Sequence, residues 1–217
     1  MENLTSMDFI NFLFRWAHLL FGITWIGLLY YFNFIQGGYF KEASPEALSD
    51  AKAKLAPSAL WWFRWGAMFT FITGVVLLLG VQKQGVMNEY IVAGALMGTL
   101  MFLNVWLIIW PNQKIALGLV DGDKPSAGAK ALLASRTNTL FSAPMAYCML
   151  ASPHIGYGAA RLNADGGGVG LYAVLAVIAA LEVNAIVGKQ GPMTSVKGVI
   201  HCSIALTAVL VLLLKFL

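Results

Sequence analysis

The chain has 217 residues, of which 59% are hydrophobic and 11% charged, and its formal net charge is +4. Soluble domains carry about 25% charged residues, so this composition excludes a soluble globular domain and indicates an integral membrane protein. The positive charge needs no nucleic acid partner, because basic loops beside anionic lipid account for it. The lipid bilayer is therefore the first expected partner.

Six apolar windows are long enough to cross the ~30 Å hydrocarbon core, which takes about 20 helical residues. The fourth window is interrupted by Pro144, Pro153 and His154, but transmembrane helices tolerate proline where neighbours satisfy the freed backbone groups. The windows predict an all-α, polytopic bundle of about six transmembrane helices, forming one integral membrane domain over residues 1–217. They lie near 9–35, 60–81, 90–110, 138–157, 169–188 and 195–216.

Basic residues are concentrated in alternate loops. By the positive-inside rule, this places both termini on the non-cytoplasmic side, which is the periplasm if the protein lies in a bacterial cytoplasmic (inner) membrane. The loops 36–59 and 111–137 are predicted to be its only sizeable extramembrane pieces, and Ser44 followed by Pro45 predicts the start of a short surface helix in the first. The basic loop residues are Lys41, Lys52, Lys54, Lys114, Lys124, Lys130, Arg136 and Lys189.

The first window contains a candidate cofactor face. Arg15, His18, Gly22 and Trp25 recur at steps of three and four residues, so they share one side of the helix. Neutral imidazole is an axial ligand of haem, glycine leaves room for a macrocycle, and arginine can pair with a propionate. The alternative is that His18 hydrogen-bonds a neighbouring helix while Arg15 reaches the headgroups.

Other polar residues at membrane depth are Arg64, Asn104, Glu182 and His201. An ion pair of Glu182 with Arg64 or Lys197 is the plainest explanation for that carboxylate, and a proton path is the alternative. Arg64 lies among tryptophans, which is also typical of a membrane interface.

The chain has three histidines, so candidate metal ligands are few. His18 and His201 are separated by roughly 13 Å in predicted depth, which disfavours a shared iron. His18 with His154 fits better, and a five-coordinate iron or a methionine as second ligand are the alternatives. No CxxCH motif is present, so the expected cofactor is haem b rather than covalently attached haem c.

Several successive motifs carry a family resemblance. They are HLLFGITWIGLLYYFNF at 18–34, WFRW at 62–65, NVWLIIWPNQK at 104–114, and Arg136 followed by SAPMAYCMLASPH at 142–154. Together they resemble the membrane domain of the PuuD-type urate oxidase (urate hydroxylase) family. The first helix is also similar to the haem- or copper-associated HemJ and CopD groups.

The resemblance implies urate oxidation with electrons passed to a cytochrome, so it suggests a membrane oxidoreductase or the membrane subunit of one. It identifies no catalytic residue. This sequence ends at Leu217 without the family's cytochrome c domain, so the electron partner is expected to be a separate cytochrome or a subunit of a larger complex. The positions that match the family's motifs are His18, Trp25, Arg64, Asn104, Asn112, Gln113, Lys114, Arg136 and His154.

These observations predict a haem b-binding membrane protein in electron transfer or oxidation. The proposed cofactor-binding residues are His18, Arg15, Gly22, Trp25, Arg64, Asn104, His154 and His201, with His18 and His154 as metal ligands. The alternative is a cofactor-free structural or assembly subunit of a larger membrane complex. A small transporter would show inverted repeats, and no repeat is detectable.

Overall fold

The computed structural model describes residues 7–155 and 168–217 of the chain. Within these ranges the fold is helical and contains no β-strand, which confirms the all-α prediction. A 3₁₀ turn, Gly191–Thr194, precedes the last helix. The long helices of the described ranges are α1 (Met7–Glu42), α2 (Pro45–Lys83), α3 (Glu89–Ala116), α4 (Lys124–His154), α5 (Val169–Val187) and α6 (Val196–Phe216).

Five of these helices are long and apolar enough to cross a membrane, and α4 is the exception. The reason is the polar run SRTNT at 135–139, whose five side chains are nevertheless all buried. Helix α4 contacts α1, α3, α5 and α6, so it is the central helix of the bundle. Its polar residues face protein rather than lipid, which is why hydropathy alone understates it.

The predicted window 138–157 and the predicted loop 111–137 were wrong at the boundary they share. Helix α4 begins at Lys124, and only residues 117–123 separate it from α3. Asp123 caps the N-terminus of α4, since its side chain accepts a hydrogen bond from the Ser126 backbone N–H at 3.3 Å. Residues 156 and 157 lie outside the described ranges.

Pro144 lies inside α4 without ending the helix. Proline has no backbone N–H, so the carbonyl of Leu140, four residues earlier, loses its helical partner. The hydroxyl of Ser203 on α6 donates to that carbonyl at 2.8 Å. A neighbouring helix thus satisfies the freed group, as membrane interiors require.

The predicted extramembrane segment 36–59 is helical rather than a loop, because α1 and α2 are separated only by Ala43 and Ser44. The Ser44 hydroxyl accepts from the Ala47 backbone N–H at 3.3 Å, which confirms the predicted helix start. That helix does not stop, however, and continues through a π-helical stretch, Ala51–Leu55, into α2. Alanine, lysine and leucine favour helix, so the segment lengthens the helical hairpin of α1 and α2.

Helices α1 to α4 form a ring, in which each helix contacts the next and α4 contacts α1. Helices α5 and α6 pack against the outside of α4, and α5 also contacts α3. Short connections make consecutive ring helices antiparallel. We call the end of the ring with Glu42, Pro45, Ala116 and Lys124 the basic end, and the end with Met7, Lys83, Glu89 and His154 the terminal end.

Candidate cofactor site

His18 is anchored to α2 through one ring nitrogen. Its Nδ1 lies 2.9 Å from the carbonyl oxygen of Thr70 and 3.0 Å from Oγ1 of Thr73. A carbonyl only accepts, so Nδ1 carries the proton and donates it. Nε2 therefore keeps its lone pair. A histidine that donates one N–H to a backbone carbonyl is oriented as a metal ligand is in proteins.

Two adjoining cavities meet at His18, between α1, α2, α3 and α4. The larger has a volume of about 520 Å³ and walls that are mostly apolar. The smaller, about 260 Å³, extends toward the terminal end and has more polar walls. Ligand pockets usually measure about 300–1,000 Å³, so the two together can hold a cofactor. The residues that line both are His18, Gly74, Leu78, Ala95 and Met149.

Two glycines shape the space around the imidazole. A Cβ on Gly74 would lie 3.0 Å from Cε1 of His18, so only glycine leaves room for the ring in its present position. A Cβ on Gly22 would approach nothing closer than Thr70 Cγ2, at 4.0 Å. Gly22 lines the larger cavity, so its missing side chain enlarges that cavity rather than permitting a helix contact.

Arg15 lies one turn from His18 and lines the smaller cavity. Its side chain is exposed, and it forms no ion pair with a described residue. Trp25 lines the larger cavity and is only 2% exposed. The indole Nε1 of Trp25 is buried without a hydrogen-bond partner among the described residues. Arg15 thus brings unused donors to the wall of the smaller cavity, whereas the indole N–H of Trp25 is enclosed by protein.

Arg64 and Asn104 line neither cavity. The guanidinium carbon of Arg64 lies 3.5 Å from the ring centroid of Trp110, a cation–π contact. Asn104 is 1% exposed, and its Nδ2 donates to Oδ1 of Asn138 at 2.9 Å and to Oε2 of Glu182 at 3.1 Å. These residues belong to the basic half of the bundle.

The predicted ion pair of Glu182 with Arg64 or Lys197 is wrong. In the described part of the chain, the ion pair found is Lys54 with Asp50, on the surface. The side-chain amide of Asn104 donates a hydrogen bond to Glu182 instead, so the carboxylate has a neutral donor as its partner. A carboxamide is a reasonable substitute because it spares a second charge from burial.

The other two histidines lie apart from His18. His154, at the C-terminal end of α4, is exposed and lines neither cavity, although its neighbours Ser152 and Pro153 line the smaller one. His201 is exposed on α6. The described residues contain no group of three or more His, Cys, Asp or Glu side chains able to hold a metal ion. The structure therefore brings neither histidine to the cavity walls with His18.

The matched segment after the third window has a local structural role. Asn112 Nδ2 donates to the Ile108 carbonyl at 2.7 Å, and Lys114 Nζ lies 5.5 Å from the Trp110 ring centroid. Together with Arg64, Lys114 therefore places a second cation against Trp110. Sequence reasoning treated Asn112 only as a position that matches a family motif, and Lys114 as a matched position and a basic loop residue.

Sequence reasoning missed four residues of the site. Thr70 and Gly74 belong to a stripe of small residues that is typical of simple helix packing. Thr73 is one turn from Thr70, and its hydroxyl gave no separate signal. Met149 is one of nine methionines, and only the fold shows that it lines both cavities with His18.

A family model described as "Urate oxidase N-terminal" matches residues 82–212. That range runs from the end of α2 into α6 and covers more than half of the chain. His18 and the rest of its face precede it. No curated protein and no solved structure matches the chain. The matched range contains the motifs NVWLIIWPNQK and SAPMAYCMLASPH, and the chain belongs to the urate oxidase N-terminal family.

Proposed function

We propose that the chain binds haem b through His18 and serves electron transfer or oxidation as a membrane subunit of the urate oxidase type. Its partner is a separate cytochrome c or a larger membrane complex. The observation that carries this proposal is His18 itself, whose Nδ1 is held by the Thr70 carbonyl while its ring lines two adjoining cavities. Family membership supports the redox class.

The residues present fit a haem. His18 would hold the iron through Nε2, Gly22 leaves the wall of the larger cavity open, and Arg15 on the smaller cavity would supply a cation for a propionate. Haem, when bound, supplies one-electron transfer, and the apolar walls exclude water from it.

The optical spectrum of detergent-purified protein from haem-replete cells, before and after dithionite, tests this proposal. We expect a Soret band and a reduced-minus-oxidised difference typical of haem b. Protein without Soret absorbance would instead favour the cofactor-free structural or assembly subunit.

Arg15→Leu is expected to lower haem affinity by about threefold to tenfold or to shift the haem potential, because a propionate loses its cationic partner. The effect is moderate since Arg15 is exposed and water screens the pair. Haem content per protein and redox titration measure it. Lys83→Leu is the matched control, an exposed cation at the same end of the ring. Equal results for the two variants would assign Arg15 to the lipid headgroups.

Both termini are proposed to be periplasmic in a bacterial inner membrane, because basic residues concentrate in alternate connections. Alkaline phosphatase fused after Leu217 is expected to be active, and a fusion at Lys124 inactive. The reverse pattern of activities would invert the topology.

A further inference from the structure

Few side chains on the walls of the two cavities carry an atom that can bind iron. The protein ligands of haem iron are histidine, methionine, cysteine and tyrosine. Among the described residues that line the cavities, four are of these types: His18, Tyr30, Met145 and Met149. Of these four, His18 and Met149 line both cavities, whereas Tyr30 and Met145 line only the larger one.

Tyr30 is engaged in a contact between helices, away from His18. It lies twelve residues beyond His18 along α1, which places it about 18 Å closer to the basic end. Its hydroxyl lies 2.8 Å from Oγ of Ser142 on α4. The single Ser142 proton is donated to the Thr139 carbonyl at 2.7 Å, so Tyr30 donates to Ser142. Tyr30 therefore joins α1 to α4 rather than facing the imidazole.

The base of the Met149 side chain is fixed by a close approach of α4 to α3. A Cβ on Gly94 of α3 would lie 3.1 Å from Cβ of Cys148 and 3.4 Å from the backbone nitrogen of Met149. Cys148 faces α3 at this point, is 1% exposed and lines neither cavity. Consecutive helical residues point about 100° apart, so Met149 is turned from this contact toward the cavities.

The His18 ring and the methyl end of Met149 lie at the same depth in the bundle. A Cβ on Gly74 of α2 would lie 3.0 Å from Cε1 of His18, and a Cβ on Gly98 of α3 would lie 4.0 Å from Cε of Met149. Gly74 is nine residues before the end of α2, and Gly98 is nine residues after the start of α3. Both glycines are therefore about 14 Å from the terminal end of their helices.

The two side chains also come from opposite sides of the same space. His18 belongs to α1 and is held against α2 by its contact with the Thr70 carbonyl. Met149 belongs to α4 and is held against α3, beside Gly94 and Gly98. Both line both cavities, so the cavities separate an imidazole from a thioether at one level.

We propose that Met149 is the second axial ligand of the haem that His18 binds, an inference that rests on the proposed function. A thioether paired with histidine is an established ligand set and raises the reduction potential of haem iron. With both axial positions held by side chains of the protein, none is left open for a substrate. The His18 site would therefore serve electron transfer rather than oxidation of a substrate at the iron.

Met149→Leu tests the proposal in haem-containing, detergent-purified protein. We expect ferric wild type to show the weak near-infrared charge-transfer band of methionine-ligated haem, in absorbance and in magnetic circular dichroism. Met149→Leu is expected to lose this band, to shift the iron to a five-coordinate high-spin state and to lower its reduction potential. Leucine has nearly the volume of methionine, so the variant is expected to fold.

Two further methionine-to-leucine variants serve as comparisons. Met97 is fully buried on α3 and lines neither cavity, so Met97→Leu is the matched control for packing. Met145, one turn before Met149 on α4, is the rival ligand. Both variants are expected to keep the near-infrared band. Its loss in Met145→Leu but not in Met149→Leu would overturn the proposal, as would equal loss in Met97→Leu.

Met149→His is the second variant, and it decides the matter even if Met149→Leu retains no haem. A new imidazole at the position of a ligand is expected to give a six-coordinate, low-spin haem with two histidine ligands and a lower potential than wild type. A methionine that only packs would give no such spectrum, and that result would overturn the proposal.

The spectrum of wild type separates this inference from the proposed function. A Soret band without the near-infrared band, and with an unchanged spectrum in Met149→Leu, would overturn the methionine ligand and leave haem binding by His18 in place. Protein without any Soret band would overturn both.

Discussion

His18→Ala is expected to abolish the haem spectrum of the purified protein while the helical bundle still inserts and folds. A ligand holds iron through its ring nitrogen, so alanine removes the bond altogether. The change is expected to cost the folded bundle little stability, because it removes one side-chain hydrogen bond. Side-chain hydrogen bonds in membrane bundles average about 0.6 kcal/mol. The Thr70 carbonyl that receives Nδ1–H lies inside helix α2, where a backbone N–H one turn later also donates to it, so it does not become orphaned.

His201→Ala is the matched control, because it also removes a histidine from a membrane helix but from an exposed position on α6. It is expected to leave haem content and band positions unchanged. Absorbance spectra with a pyridine haemochromogen assay measure both variants. A normal spectrum in His18→Ala would move the ligand to His154 or His201.

The fold was largely predictable because apolar length dominates it. Five long helices stand out by hydropathy alone, and the Ser44–Pro45 signal located the start of α2 correctly. Helix α4 shows where this reasoning fails. Asn138 is fully buried, with its Nδ2 on the Met101 carbonyl and its Oδ1 on Asn104, and these partners are 34 or more residues away in sequence. No local pattern reveals partners so distant.

The candidate site was predictable only in part, because its walls also come from residues that are far apart in sequence. Helical spacing placed Arg15, His18, Gly22 and Trp25 on one face, and each of them lines one or both cavities. The opposite walls come from α2, α3 and α4, whose contribution depends on how the helices pack.

Arg136 and Arg64 illustrate the complementary case. Arg136 was noted in the sequence only as a loop cation and a matched position, because its burial follows from the unexpected start of α4 at Lys124. Arg64 was correctly associated with tryptophans, but the particular partner, Trp110, lies on another helix. A charged residue in an apolar segment implies a free-energy cost of burial, but only the fold shows whether a neighbouring group offsets it.

Gly22→Leu is expected to prevent haem binding without destabilising the protein. The new side chain would project into the larger cavity, because a Cβ at this position meets no atom closer than 4.0 Å. Leucine therefore fills space that a macrocycle would need, and the Nδ1 contact of His18 with Thr70 is left intact. Filling an apolar cavity also adds dispersion contacts, so the melting temperature of the haem-free protein should hold or rise.

Gly37→Leu provides the control for this steric test. Gly37 is exposed on the same helix, has nothing within 4 Å of a Cβ, and lines neither cavity. Haem content is expected to fall at least about tenfold in Gly22→Leu, as judged by Soret absorbance per protein, and to be unchanged in Gly37→Leu. Full haem occupancy in Gly22→Leu would place the macrocycle elsewhere, even if His18 proved to be its ligand.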